Sequence, residues 1–206
     1  MEPKIIFEDE SICVIDKPAG WVVNQSESVK TKTVQEWFFN KFKIINSKNQ
    51  TEFVEKGGVV HRLDKDTSGL MVLAKTEEAY EGLKRQFLER RILKIYVALV
   101  HGLFKEKAGV VSLPIERHSK NKHKFAIGSD PSRTAITEYN VIAEFKQFTE
   151  LELRLHTGRT HQIRVHMKHL EHPLVSDPIY GGKTYKKDIT WCARLFLHAQ
   201  LIHSLS

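Results

Sequence analysis

The chain has 206 residues, with 32 Lys and Arg against 25 Asp and Glu, and so carries a formal net charge of +7 with its 11 His counted neutral. At 41% hydrophobic and 28% charged it has the composition of a globular protein, which argues against a disordered tail or a disulfide scaffold. Its longest apolar runs fall far short of the ~20 residues that a membrane-crossing helix needs, and the positive excess favours a polyanionic partner such as nucleic acid.

The start, MEPKIIFEDE, lacks the basic and apolar regions of a secretory signal, so a cytoplasmic protein is expected. Cys13 and Cys192 form no CxxC pair and read as reduced, structural thiols. No repeat or composition break divides the chain, which reads as a single catalytic-sized domain over residues 1–206.

Lys4 to Phe7 and Ile12 to Asp16 are short apolar runs separated by polar residues, the pattern of a hairpin. Lys17-Pro18-Ala19-Gly20 ends the second, because Pro cannot continue a ladder and Gly permits the turn. Thr33 is placed to cap a helix carrying Trp37, Phe38 and Phe42, after which INSKNQTEF is loop-like. Gly69 to Lys75 is apolar and short enough to be a buried strand. Thr76 then caps a second helix, with Glu77 and Glu78 matching the dipole of its first turn and Ala79, Leu83 and Phe87 at four-residue spacing.

Ile95 to Val100 is a strand candidate, and the Lys- and His-rich segment from His118 to Arg133 is expected as a solvated loop or ribbon. Ala135 to Phe145 and Glu150 to His156 follow as strands, the second alternating at Leu151, Leu153 and Leu155. Strands and helices mix without regular βαβ alternation, so an α+β class with a largely antiparallel sheet is predicted.

Two segments concentrate chemistry. HRLDKDTSGL, residues 61 to 70, places His61, Arg62, Asp64, Asp66, Thr67 and Ser68 directly before a buried strand, where a rigid support can position a nucleophile or acid. The competing reading is an Asx or ST turn in which the aspartates bond neighbouring amides. In TGRTHQIRVHMKHLEHP, residues 157 to 173, Thr160 is expected to cap a helix with the apolar face Ile163, Met167 and Leu170. His161, Arg164 and Lys168 would then share the opposite face. Arg159 near the helix N-terminus suggests an anion to be bound. A metal site from His161, His166, His169 and His172 is disfavoured, since no HExxH pattern occurs and His161 points away from the others.

HRLDKDTSGL resembles the catalytic signature of the RluA-type pseudouridine synthases. The other motifs follow in the same order: KPAG at 17 to 20, KIYVALVHG at 94 to 102, TGRTHQIRVH at 157 to 166, HPLVSDPIYGG at 172 to 182 and RLFLHA at 194 to 199. The resemblance implies the pseudouridine synthase fold, a mixed, mainly antiparallel sheet with flanking helices around a central cleft. It also implies isomerisation of uridine to pseudouridine in structured ribosomal or transfer RNA, without metal or organic cofactor.

By the same resemblance Asp64 is the catalytic aspartate and Arg164 the arginine that pairs with it, while Tyr96 stacks on the target base. Arg62 fills the stack that the flipped uridine leaves, and Leu197 or Leu195 supplies the apolar pocket wall. His61, Arg159 and His161 are further substrate-binding candidates. For RNA backbone contacts the first candidates are Arg159 and Lys168, then Lys120, Lys122 and Lys124. Physical chemistry agrees with these roles: the base must leave its stack, at a cost of a few kcal/mol that stacking on an aromatic ring offsets. A carboxylate can then attack base or ribose, or remove a ribose proton.

The chain departs from the pattern at Asn24, where relatives usually have His, and at Ser176, where Gly is usual. It ends at LIHSLS where relatives continue into a further strand, so a truncated C-terminus is expected, as is the lack of the separate RNA-binding domain that many relatives carry upstream. Two rivals are a nonenzymatic RNA-binding module, which RNA turnover would distinguish, and a glycosidase. Asp64 and Asp66, two apart on one segment, cannot flank a glycosidic bond at the ~5 to 9.5 Å that such catalysis needs.

Overall fold

The computed structural model describes residues 1–27, 29–43 and 51–204. Their contacts group into two compact units, Met1–Ile92 with Ile202–Ser206, and Leu93–Leu201.

In the first unit the expected hairpin is β1 (Lys4–Glu8) and β2 (Ile12–Lys17), antiparallel. The Asp9 carboxylate closes its turn by accepting the Ser11 and Ile12 amides, both at 2.7 Å. The predicted buried strand is β3 (Ser68–Ala74), antiparallel to β2 from Ile12↔Ala74 to Lys17↔Gly69. Alternation buries Cys13, Ile15 and Lys17 of β2 together, so a lysine occupies the last inward position of an otherwise apolar face.

Thr33 caps α1 (Val34–Phe42) as predicted, its hydroxyl accepting the Glu36 amide at 3.1 Å, and α1 buries Val34 and Phe38. Because Thr33 is itself fully buried, Thr33→Ala is expected to destabilise the fold by about 1–2 kcal/mol, read from urea unfolding. Of the segment expected as a loop, Ile45–Gln50 lies outside the described residues. Its end differs: α2 (Glu52–Lys56) is a short helix driven by one buried ring, Phe53, which meets Tyr80 edge-on at 5.8 Å. Tyr80 lies on α3 (Glu77–Leu88), capped by Thr76 as expected. Tyr80 is its buried residue, whereas Ala79, Leu83 and Phe87 are half-buried. Gly58, at φ +75°, lets the chain pass against β3, where a Cβ would sit 2.2 Å from the Ala74 carbonyl oxygen.

In the second unit the strand order is β9-β4-β8-β7-β5-β6. These are β4 (Ile92–His101), β5 (Ala108–Arg117), β6 (Phe125–Ile127), β7 (Thr134–Glu144), β8 (Phe148–Leu155) and β9 (Leu197–Ser204), the last reaching this unit through Leu201. β4 with β8, β8 with β7, β7 with β5 and β5 with β6 are all antiparallel. The alternation read in β8 holds, with Leu151, Leu153 and Leu155 buried. β5 was not foreseen, and the basic segment His118 to Arg133 is a ribbon rather than a plain loop. β6 pairs with β5, and a 3-10 turn follows at Pro131–Arg133. Two helices complete the unit, α4 (Gln162–His169) and the short α5 (Tyr185–Asp188). Val165 of α4 joins Ile115, Ala135 and Tyr180 in a buried cluster. The result is the α+β class with a mainly antiparallel sheet. Among the described residues no helix is long and apolar enough to cross a membrane.

Candidate active site

The segment holding Asp64 is clamped by neighbours in its own unit. The Lys65 carbonyl accepts two hydrogen bonds, from the Gly20 amide at 2.8 Å and from Lys17 Nζ at 3.1 Å. Lys17 Nζ also donates to the Pro18 and Trp21 carbonyls, at 3.1 and 3.0 Å, so the buried ammonium places all three protons on main-chain oxygens. The KPAG turn and the HRLD segment are thereby tied at one point. Burial lowers the Lys17 pKa to about 8, against the opposing pull of the Asp66, Asp64 and Asp16 carboxylates.

The turn from Asp64 to Thr67 is closed by main chain, Thr67 N–H to the Asp64 carbonyl at 3.2 Å. Leu63 is buried before it, and Thr67 and Ser68 after it. Asp64 and Asp66 are half-buried and Arg62 is exposed. His61, a substrate-binding candidate, also braces the segment. Its Nε2 accepts the Val72 amide of β3 at 3.1 Å, and its ring stacks on Phe87 of α3 at 4.6 Å. It thus fixes the start of the segment to strand and helix. Accepting at Nε2 requires the lone pair there, so a neutral His61 carries its proton on Nδ1.

The second unit holds Tyr96 and Arg164. Tyr96 lies on β4, paired with Leu153 of β8, and is nearly buried at 9% exposure. The helix predicted to begin after a Thr160 cap begins instead at Gln162, with His161 at the N-cap in the left-handed region at φ 56°. Gln162 organises this entry. Its amide oxygen accepts the Thr157 hydroxyl and the Arg159 amide, and its amide nitrogen donates to Ile136 O and Thr137 Oγ1. Gln162 through Met167 are all buried, so α4 has no polar face over its first turns, contrary to the amphipathic reading. Lys168 and His169 emerge only at its end.

Arg164 is therefore a buried cation, at 1% exposure. Its Nε and Nη2 donate to Asp177 Oδ2 and Oδ1 at 2.9 and 2.7 Å, a bidentate pair. Asp177 Oδ1 also accepts the Ile179 and Tyr180 amides, at 2.8 and 2.9 Å. The Arg164 guanidinium lies 5.2 Å from the Tyr180 ring centroid. Sequence reasoning missed Asp177. Its signal was the single carboxylate of the HPLVSDPIYGG motif, where burial demands a cationic partner. Removing one member of such a pair strands the other's charge, so Arg164→Met is expected to lower unfolding free energy by about 3–5 kcal/mol, measured by urea denaturation.

The Ser176 departure is accommodated without losing the turn. Ser176 sits at φ 55°, a conformation that favours glycine. Its hydroxyl donates to the Cys192 carbonyl at 2.5 Å, and its amide to Asp188 Oδ2 at 3.1 Å. The same Asp188 oxygen is 2.9 Å from His101 Nε2. Leu195 and Leu197, the two candidates for an apolar wall, are both buried. Arg159 is exposed, and its Nη2 donates to the Ser132 carbonyl at 3.0 Å.

The four histidines weighed as metal ligands have separate surroundings. His161 Nδ1 bonds the Tyr180 hydroxyl, His166 Nδ1 the Thr137 hydroxyl and His172 Nδ1 the His101 carbonyl, while His169 is exposed. Burial lowers the His166 pKa to about 4, leaving it neutral near pH 7.

Comparison with known proteins gives these motifs a family. The model of the RNA pseudouridylate synthase family matches residues 11–169. The chain is 43% identical over 183 residues to the ribosomal large subunit pseudouridine synthase D of Pseudomonas aeruginosa, covering 89% of this chain and 55% of that protein. It is 42% identical over 201 residues to the protein of the same name from Nitrosomonas europaea, covering 98% and 56%. The chain thus spans about half the length of the curated relatives it matches. Among solved structures, human RNA pseudouridylate synthase domain containing 1 superposes with a TM-score of 0.75 at 26% identity, over 97% of this chain and 77% of that one. The ordered motifs, the matched model and the identity to these relatives agree: the chain belongs to the RNA pseudouridylate synthase family and is of the RluA type.

Proposed function

We propose that the chain isomerises uridine to pseudouridine in RNA, and that the substrate is structured ribosomal RNA. The observation that carries this reading is the Asp64 turn. In a chain of this family, a half-buried carboxylate stands on a segment pinned by Lys17 and Gly20 through one carbonyl and by His61 at its start. Such pinning is what a reacting carboxylate needs, since small misplacements cost large factors in rate.

In this reading the target uridine leaves its stack, Arg62 occupies the vacated space, and Tyr96 stacks on the extruded base. Asp64 assists cleavage of the bond from ribose to the base nitrogen and its replacement by a bond to carbon 5, with loss of the carbon 5 hydrogen. Arg164, already paired with Asp177, is the partner that the family resemblance implies for Asp64. Leu197 lines the pocket, and the exposed cations of the His118 to Arg133 ribbon, with Arg159 and Lys168, meet phosphates. The names of the relatives favour ribosomal RNA over transfer RNA, and a cytoplasmic site of action fits that substrate.

The test is incubation of the purified chain with ribosomal RNA transcripts, followed by chemical mapping of pseudouridine. Conversion at one or a few defined uridines is expected. RNA binding without any conversion would overturn the enzymatic reading in favour of a binding module.

A further inference from the structure

The basic ribbon closes its own tip, with the His118 amide donating to the Lys124 carbonyl at 2.9 Å and Arg117 to the Lys122 carbonyl, but its ladder is short. β5 and β6 share only three residue pairs, Ile115↔Ile127, Glu116↔Ala126 and Arg117↔Phe125, and a two-stranded ribbon is marginal alone in water. Beyond those pairs the tip carries exposed Lys120 and Lys122 and half-buried Lys124. At the point where the tip rejoins β6, the Phe125 amide donates to the Tyr180 hydroxyl at 2.9 Å. That hydroxyl is also 2.9 Å from His161 Nδ1 at the start of α4. With its oxygen accepting from Phe125, its own proton is available to His161. The rest of Tyr180 is committed to the buried ion pair, its amide to Asp177 and its ring beside Arg164. Phe125 and Ile127 pack on the buried cluster, and the Tyr180 hydroxyl adds the directional bond that fixes where the ribbon meets it.

We propose that Tyr180 is a positioning residue for RNA, whose hydroxyl fixes where the lysines of the ribbon meet the phosphate backbone. The inference rests on the reading that this ribbon contacts RNA. A tyrosine serving only the core needs its ring. Here the hydroxyl is engaged twice, once by the ribbon and once by the N-cap residue of α4. A ribbon without this bond would still carry its charge, but its placement would have to be fixed on binding, and that entropy is subtracted from affinity.

Tyr180→Phe separates hydroxyl from ring. RNA affinity, measured by filter binding across a salt series, is expected to fall at least fivefold. The slope of log affinity against log salt should flatten by about one phosphate contact. kcat at saturating RNA is expected to stay within twofold of the parent, with trypsin cutting faster at Lys120, Lys122 and Lys124. A purely structural role would lower melting temperature and leave the salt slope unchanged, and that outcome overturns the proposal. The reading of the ribbon is tested separately by the combined Lys120→Glu, Lys122→Glu, Lys124→Glu variant. If this variant binds as the parent does, the ribbon does not contact RNA and both ideas fall. If it loses affinity while Tyr180→Phe does not, only the role of Tyr180 is lost. Should Tyr180→Phe fail to fold, hydrogen exchange of the Phe125 amide in the parent decides. Protection comparable to the β7 and β8 amides supports the tie, and rapid exchange overturns it.

Discussion

Asp64→Asn is expected to lower uridine isomerisation by at least about a thousandfold, measured as tritium released from RNA labelled at carbon 5 of uridine. The amide keeps the size and hydrogen-bonding capacity of the carboxylate but loses its charge and nucleophilicity. Folding should survive, because the segment has anchors besides the Asp64 carboxylate. The Lys65 carbonyl is held by Lys17 and Gly20, the Val72 amide by His61, and the turn by Thr67 N–H to the Asp64 carbonyl. RNA affinity should stay within about threefold of the parent, since removing one negative charge does not weaken binding to a polyanion. Asp66→Asn is expected to be milder, with Asp66 ordering the loop. Turnover by Asp64→Asn near that of the parent would remove Asp64 from the chemistry, and equal losses in both variants would leave no basis for separating their roles.

What the sequence made legible follows from the range of the forces involved. The β1–β2 hairpin, β3, β8 and the caps at Thr33 and Thr76 depend on neighbours within a few residues, so periodicity and cap chemistry reveal them. β5 was hidden by Pro114, which reads as a strand breaker. It sits where β5 passes from its ladder with β7, ending at Pro114↔Thr134, to its ladder with β6, beginning at Ile115↔Ile127. α2 has five residues and one buried ring, too few for a period to register.

The face assigned to α4 failed for another reason. Amphipathic reasoning puts Arg164 on a polar face with His161 and Lys168, yet Arg164 is buried against Asp177 thirteen positions later, and His166 beside it against Thr137 twenty-nine positions earlier. Such long-range pairing leaves no local pattern. The candidate site was legible through motif order, and two of its supports, Lys17 and His61, acquire a physical role only from their partners in space.

Lys17 also gives the second large effect. Its ammonium titrates at about 8 instead of 10.5, since burial opposes its charge more than nearby carboxylates favour it. Below pH 8 the folded protein holds that charge out of water, while in the unfolded chain the lysine stays protonated up to about 10.5. The buried charge therefore costs the fold roughly 3 kcal/mol below pH 8, a cost that fades as pH rises from 8 to 10.5. A group that lowers stability at neutral pH is explained by what it holds: the carbonyls of Pro18, Trp21 and Lys65, the last on the Asp64 turn. Lys17→Met keeps the bulk, removes the charge and leaves three carbonyls without this donor. Relief of the charge and loss of hydrogen bonds oppose each other, so stability at pH 7 should stay within about 2 kcal/mol of the parent. kcat should fall at least about tenfold, because the turn is no longer held in place. In the parent, kcat should also decline above about pH 8, as deprotonation of Lys17 removes one of its three N–H donors, whereas Lys17→Met should lack that limb. A Lys17→Met enzyme with parental kcat and the parental pH profile would show that the clamp plays no part in placing Asp64.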